Sequence, residues 1–424
     1  MDGVAVGMRR DMEGPGRILV VSADIGAGHD AAAAELARRL RGRGLVVDRL
    51  NLLEVLPVAA RWVVRDAYRG LLRWLPWGYD VLFRLTGRSR VSASVLRSLL
   101  RPVRRRMRRA IPPDTRAVVT TYPFANQLLG PLRRQGRLGV PVVSYVTDLV
   151  VHPTWLAPGV DVYCTVRHAE VQPSGAADDV EVTVVRPLVP AAFATSSAVD
   201  RRKARQRFGL PPDERLALIV AGAWGAGDIA ATVAEVRATG HVRPVVVCGR
   251  NEELYQRLRG GEHVFGWVED MPALMRAVDV VVENAGGLTC QEALACAVPV
   301  VTYRPIPGHG RANATILART GLTRWVPGPD QLGPVLAALF GEGDGERPDR
   351  DGEPRSHPGP AAAGHLADPD LAGPTADPAG VVAEVAGRAG SAGVEGRGRR
   401  ALVDSVGDAV AVVAALLQAT GGPR

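Results

Sequence analysis

The chain has 424 residues, 46% of them hydrophobic, a formal charge of +8 and a pI of about 9.8, which supports two domains with separate cores and excludes a single small module. The charge excess is carried almost wholly by arginine, with Lys203 the only lysine, and points to an acidic partner. Cys164, Cys248, Cys290 and Cys296 lack metal-type spacing, which excludes a zinc knuckle or a disulfide scaffold and reads as reduced, buried residues of a cytoplasmic protein.

No apolar run approaches the ~20 residues of a spanning helix, and residues 1–16 are charged and glycine-rich, a flexible tail and no signal peptide. Any membrane contact is therefore expected to be peripheral. Arg17 to Ala23 reads as the first strand. Asp24 to His29 then turns through Gly26 and Gly28 into an alanine-rich helix to about Arg41, and Leu45 to Leu50 reads as the second strand. This is one Rossmann-type unit. Gly26-x-Gly28-x-x-Ala31, with Asp48 at the ribose-contact distance, also satisfies the dinucleotide fingerprint, so a nicotinamide-dependent dehydrogenase is a competing reading.

His29 stands at the start of that helix, where the helix dipole disfavours its cation; neutral imidazole is a candidate general base. Between Val58 and Ala110 fourteen arginines face only Asp66 and Asp80. Arg61, Arg65, Arg69 and Arg73 recur every four residues as one helical stripe, and Trp62, Trp74 and Trp77 accompany them. Such an arginine-rich, tryptophan-bearing surface suits an anionic membrane interface, and no nucleic-acid module goes with it.

Strands follow at Arg116 to Thr121 and Val140 to Thr147. Beyond the second lie Asp148, His152 and Trp155. Asp148 is placed to orient His29 or to bind an acceptor hydroxyl, His152 is a second candidate base, and Trp155 offers a face for a sugar or an acyl-glycerol. Val180 to Phe193, with its prolines, suits an interdomain connector. The second half restarts with a basic helix from Arg201, a strand at Leu216 to Ala221, and a glycine turn through Gly222 and Gly225. Pro244 to Cys248 is a strand closing on Gly249-Arg250.

Val278 to Val282 reads as a buried parallel strand. It runs into Asn284-Ala285-Gly286-Gly287 and a helix from Leu288 and Thr289 onward. Unsatisfied N–H groups at that helix start fit a diphosphate, and Glu292, one turn in, is within reach of a ribose. The strand Val298 to Thr302 leads to a loop with Gly308, His309, Arg311 and Asn313, also beyond a carboxyl end where open α/β sheets bind ligands. Arg250 and Arg311 are candidate helpers for leaving-group charge. No Asp-x-Asp pair stands at a strand end to hold a metal. Residues 341–400 are rich in Gly and Pro, without aromatics, Ile or Met, and are expected to be disordered; residues 401–424 regain helical periodicity.

The run Ala285-Gly286-Gly287-Leu288-Thr289-Cys290-Gln291-Glu292-Ala293-Leu294 and the loop Pro305-Ile306-Pro307-Gly308 resemble the donor half of the GT-B glycosyltransferases related to monogalactosyldiacylglycerol synthase, diacylglycerol glucosyltransferase and the lipid-II-forming N-acetylglucosaminyl transferase. The resemblance extends to Gly26-Ala27-Gly28-His29 and to Thr147-Asp148-Leu149 with His152-Pro153-Thr154-Trp155, which are similar to that family's acceptor side. It implies that Gly286, Gly287 and Thr289 hold the diphosphate of a UDP-sugar and Glu292 its ribose. It also implies that Gly222 and Gly225 face the phosphates from the other side, that Trp267 and Val268 hold the uracil through backbone groups, and that Gly308 and His309 contact the sugar. One departure is His309-Gly310, where the family often has Gln-Glu.

Together these features predict a GT-B α/β fold: a tail (1–16), an acceptor-binding, membrane-associated Rossmann-like domain (17–195), a donor-binding Rossmann-like domain (196–340), a disordered segment (341–400) and a C-terminal helix (401–424). The predicted activity is inverting, metal-independent transfer of a hexose from a UDP-sugar to a lipid such as diacylglycerol, with no cofactor beyond that co-substrate, at the inner face of the cell membrane. A nucleotide-sugar epimerase, the dehydrogenase and a non-catalytic membrane adaptor are the alternatives.

Overall fold

The computed structural model describes residues 17–25, 27–87, 90–166, 169–171, 181–194, 198–222, 225–261, 263–341 and 407–420. The expected tail, residues 342–400 of the expected disordered segment, and Gly26 lie outside these residues. Two six-stranded sheets organise the chain. The first contains β1 (Arg17–Ser22), β2 (Val46–Asn51), β3 (Thr115–Thr120), β4 (Val142–Tyr145), β6 (Val162–Val166) and β8 (Val182–Val185), in the order β2-β1-β3-β4-β6-β8. A two-stranded pair, β5 (Val150–Val151) and β7 (Glu170–Val171), stands beside it. The second contains β9 (Leu216–Val220), β10 (Arg243–Val247), β11 (Val264–Phe265), β12 (Val280–Glu283), β13 (Val300–Tyr303) and β14 (Arg324–Val326), in the order β11-β10-β9-β12-β13-β14.

Every pairing in both sheets is parallel. A parallel strand is covered on both faces, so it reads as an unbroken apolar run; β1, β4 and β12 are buried almost end to end. The helices of the first half are α1 (Ala27–Gly42), α2 (Leu52–Val55), α3 (Val58–Trp74), α4 (Pro76–Gly87), α5 (Arg90–Leu99), α6 (Arg104–Ala110) and α7 (Pro123–Arg134). Those of the second half are α8 (Ala198–Arg207), α9 (Ile229–Ala238), α10 (Glu252–Leu258), α11 (Met271–Ala277), α12 (Leu288–Ala295), α13 (His309–Arg319) and α14 (Pro329–Leu339).

A last helix, α15 (Ala409–Thr420), returns to the first domain and packs on α1 and β3. Gly407 enters it through a parallel bridge to Val185, and Val410, Val412 and Val413 are buried. The sequence pattern starts this helix at Ala401; the described helix starts eight residues later, and 401–406 lie outside the described residues.

Strand order reverses direction between β1 and β3 in the first sheet and between β9 and β12 in the second. At such a switch point the two flanking loops diverge and leave a crevice at the carboxyl edge. His29 follows β1 and Thr121 follows β3; Ala226 follows β9 and Asn284 follows β12. The topology therefore sets both candidate regions at the crevices, and the two edges face each other, with α1 against α12.

Candidate active site in the interdomain cleft

The His29 ring is held at the first crevice. Its Nδ1 lies 2.8 Å from the Thr121 carbonyl oxygen and 2.9 Å from Thr147 Oγ1, and Thr121 Oγ1 donates to the His29 carbonyl at 2.9 Å. A carbonyl oxygen only accepts, so Nδ1 carries the hydrogen and Nε2 keeps its lone pair. Tyr122 stands edge-on at 5.2 Å and Trp155 at 5.9 Å between ring centroids. Burial lowers the His29 pKa from its ordinary 6.5, and the charge of Asp148 only partly offsets this. The neutral imidazole expected from the sequence is thus favoured, by burial in addition to the helix start.

Three acceptor-side expectations are corrected. Asp148 does not hydrogen-bond His29: its Oδ2 accepts the Trp155 indole N–H at 3.1 Å, and the orienting groups are Thr121 and Thr147. Trp155 is only 1% exposed, so its ring is core and has no face for a sugar or an acyl chain. His152 has both nitrogens occupied, Nδ1 accepting the Thr154 N–H at 3.2 Å and Nε2 lying 3.0 Å from the Phe83 carbonyl oxygen, with its ring on Phe83 at 4.4 Å. It ties its loop to α4 and has no free lone pair to act as a base. The ribose role of Asp48 in the dehydrogenase reading also fails. Asp48 sits mid-strand opposite Leu19 with its carboxylate bound by Arg17, so it does not reach the turn at Gly28.

On the donor side, the turn before α12 is braced by a residue the sequence reading missed. Glu283 ends β12 at 4% exposure; its Oε2 accepts the N–H groups of Ala285 and Gly286, and its Oε1 accepts the Thr302 hydroxyl at 2.6 Å. Burial raises its pKa in spite of these bonds. An acidic residue closing an otherwise apolar strand was the available signal. The Gly286 amide is therefore spent internally. Its glycine identity follows from φ +63° and from α13, since a Cβ would meet Asn313 Cβ at 2.7 Å. Gly287 differs: nothing lies within 4 Å of where its Cβ would be, and it caps α12 with no side-chain hydrogen bond. The first amides of α12, at Leu288 and Thr289, have no intrahelical acceptors by helix geometry. One turn on, burial pushes Glu292 up to about 8.

Gly222 and Gly225 both have positive φ, and Asn284 Nδ2 donates to the Ala226 carbonyl at 2.8 Å, stitching this turn to the one before α12. Arg250 lies over the Trp267 ring at 4.3 Å; Trp267 is 54% exposed, while Val268 packs on the core.

The loop into α13 is drawn to the other domain, and of its expected donor-binding residues Asn313 is corrected, since its buried side chain is spent on ties within the protein. A Cβ on Gly308 would meet Tyr79 at 2.7 Å, and the Gly308 N–H donates to Asp80 Oδ1 at 3.0 Å. Arg311 pairs with Asp80 at 3.4 Å, and His309 Nδ1 lies 3.2 Å from the Tyr79 hydroxyl. Asn313, with no exposed surface, accepts the N–H groups of Leu149 and Val150 at 3.1 and 3.2 Å and donates to the Ala285 carbonyl at 3.1 Å. These residues hold the cleft together. The two sides approach closely: a Cβ on Gly28 would lie 3.8 Å from Leu288 Cβ.

The expected membrane surface is described in part. Val58, Trp62, Leu75, Trp77, Leu82 and Leu85 of the α3–α4 region are exposed, Trp62 and Trp77 by 62% and 67%. Arg61 folds back to donate to the Leu53 carbonyl at 3.0 Å. The side chains of Arg65, Arg69, Arg73 and Trp74 lie outside the described residues. Among the described residues no helix is long and apolar enough to cross a membrane.

Residues 29–185 match the Monogalactosyldiacylglycerol (MGDG) synthase family, and residues 222–325 match the Glycosyl transferases group 1 family. Among curated proteins, the processive diacylglycerol beta-glucosyltransferases of Bacillus thuringiensis (strain Al Hakam) and Bacillus anthracis (strain CDC 684 / NRRL 3495) are each 27% identical over 331 residues, 72% of this chain and 80% of theirs. Among solved structures, Acinetobacter baumannii MurG aligns at 18% identity and a TM-score of 0.45, covering 77% of this chain and 91% of that one.

Proposed function

We propose that the chain, similar to the MGDG synthase family over residues 29–185 and to the Glycosyl transferases group 1 family over residues 222–325, is a GT-B glycosyltransferase that moves a hexose from a UDP-sugar to the hydroxyl of a lipid such as diacylglycerol, with inversion and without a metal. The carrying observation is the juxtaposition of the His29 ring, whose Nδ1 is fixed on Thr121, with the amino end of α12 across a narrow gap.

In this reading the diphosphate rests on the amides of Leu288 and Thr289, with Gly287 leaving room for its approach. Glu292 accepts hydroxyl hydrogens of the ribose, and Trp267 with Val268 borders the base. His29 Nε2 takes the proton from the lipid hydroxyl as its oxygen attacks the anomeric carbon; the bond to the UDP oxygen breaks, and the departing negative charge is met by the helix dipole of α12. Attack from the face opposite the leaving group inverts the anomeric centre. The exposed Trp62, Trp77, Leu82 and Leu85 seat the first domain on the membrane face where the acceptor resides.

Mass spectrometry of products formed from a panel of UDP-sugars and mixed membrane lipids tests this reading. A hexosylated lipid in chelator-treated reactions supports it. Free sugar isomers from donor alone would favour the epimerase, and vesicle binding with no UDP binding would favour the adaptor.

A further inference from the structure

Helix α4 belongs to the first half of the chain, yet residues of the second half are its partners. Asp80 on this helix is only 7% exposed, and a carboxylate buried to that extent requires compensating groups. Two of them come from across the cleft: Oδ1 accepts the Gly308 N–H at 3.0 Å and Oδ2 faces Arg311 at 3.4 Å, while Arg84 of α4 itself also binds Oδ2. One residue earlier, the Tyr79 hydroxyl lies 3.2 Å from His309 Nδ1, with the two rings edge-on at 6.1 Å. The next turn of α4 is tied to its own domain, where the Phe83 carbonyl oxygen and Thr86 Oγ1 lie 3.0 and 3.3 Å from His152 Nε2.

The loop held in this way borders the donor turn. The Ile306 N–H donates to the Asn284 carbonyl at 2.8 Å, and a Cβ on Gly310 would lie 3.1 Å from the same oxygen. Since β13 pairs with β12, the loops after both strands open on one edge, and His309 stands beside the turn that starts α12. It also faces the base. After burial and the opposing charge of Asp148, the charge of His309 lowers the His29 pKa further, which puts the two rings within electrostatic reach. With the diphosphate at α12 and the reacting carbon at His29, the hexose occupies the space between, and His309 borders it. The amide that Asp80 binds is the one immediately ahead of that residue.

We propose that Tyr79 and Asp80 are positioning residues for the donor: from the first domain they set the Gly308–His309 loop against the hexose of the UDP-sugar. The sugar end of the donor site is then complete only when α4 is docked on the second domain. This rests on the glycosyl transfer assigned to the cleft. The amides of Leu288 and Thr289 take no part in the α4 contact, so the affinity for UDP alone serves as an internal control.

Calorimetric titration of the full chain with UDP and with a panel of UDP-hexoses tests this, the hexose nucleotide bound most tightly by the wild type serving as the probe. Asp80→Ala is expected to weaken the probe about tenfold or more, and UDP by less than about twofold. Asp80→Asn keeps an oxygen for the Gly308 N–H and is expected to return the probe to within about threefold of the wild type. The control Arg319→Gln breaks a different tie between the domains, the pair with Glu170, and is expected to leave both affinities within about twofold. Should Asp80→Ala melt early, Tyr79→Phe takes its place, with an expected loss of about threefold for the probe alone. Equal weakening of probe and UDP, an unchanged probe affinity, or an asparagine variant as weak as the alanine one overturns the proposal. A wild type that binds UDP but no UDP-hexose also overturns it and leaves the nucleotide site standing. A wild type that binds no UDP overturns the glycosyl-transfer reading with it.

Discussion

Asn313→Ala probes how the cleft is held shut. The side chain has no exposed surface and makes three hydrogen bonds, two from the Leu149 and Val150 amides of the first domain and one to the Ala285 carbonyl of the second. Alanine removes all three partners at once and leaves two donors and an acceptor buried. At ~1–3 kcal/mol for each unmatched group, the loss is about 3 kcal/mol even at the low end. For domains of this size each kcal/mol moves Tm by roughly 2–4 °C, so the melt is expected to fall by about 6 °C or more. Differential scanning calorimetry of the full chain reads this, and separation into two transitions is expected because the lost bonds join the domains. A single transition within about 1 °C of the wild type would show that Asn313 does not couple them.

Glu292→Gln has a signed pH dependence. In the folded chain this acid is raised from 4.5 to about 8, so between those values the folded state keeps a proton the unfolded state has released, and stability falls as pH rises. The variant should therefore melt above the wild type at pH 8, with the gap closing toward pH 4.5; a constant gap would contradict the assignment. If the ionised carboxylate accepts ribose hydroxyls, UDP binding near pH 7 releases a proton. Calorimetry in buffers of different ionisation enthalpy should detect that release in the wild type and not in the variant. For His29, burial lowers the pKa and the base must be neutral to act, so the acid limb of kcat/KM is expected below pH 6.5. A limb at or above 6.5 would point to another base.

Much of this arrangement was legible in the chain because parallel strands announce themselves as apolar runs and helix starts as glycine turns. His29, Gly287, Thr289 and Glu292 were found that way, and the structure sets them at the two crevices. What escaped was set by partners far apart in sequence. Thr121 and Thr147 bond His29 from 92 and 118 residues away, and Tyr79 and Asp80 reach the loop at Gly308 and His309 across about 230. No local pattern encodes such pairs. The misjudged residues share a cause: Asn313, His152 and Trp155 are polar or amphipathic groups at strand ends, where ligand contacts and buried ties look alike in sequence. Burial separates them, and burial is a property of the fold. Glycines showed the same ambiguity, since Gly286 and Gly308 make room for neighbouring side chains whereas Gly287 opens on empty space.

The most direct test of glycosyl transfer at this cleft pairs two readings on His29→Ala: UDP affinity by calorimetry, and product formation by mass spectrometry. The account predicts UDP binding close to that of the wild type with kcat reduced at least about 100-fold. A variant that transfers sugar at near wild-type rate would contradict it.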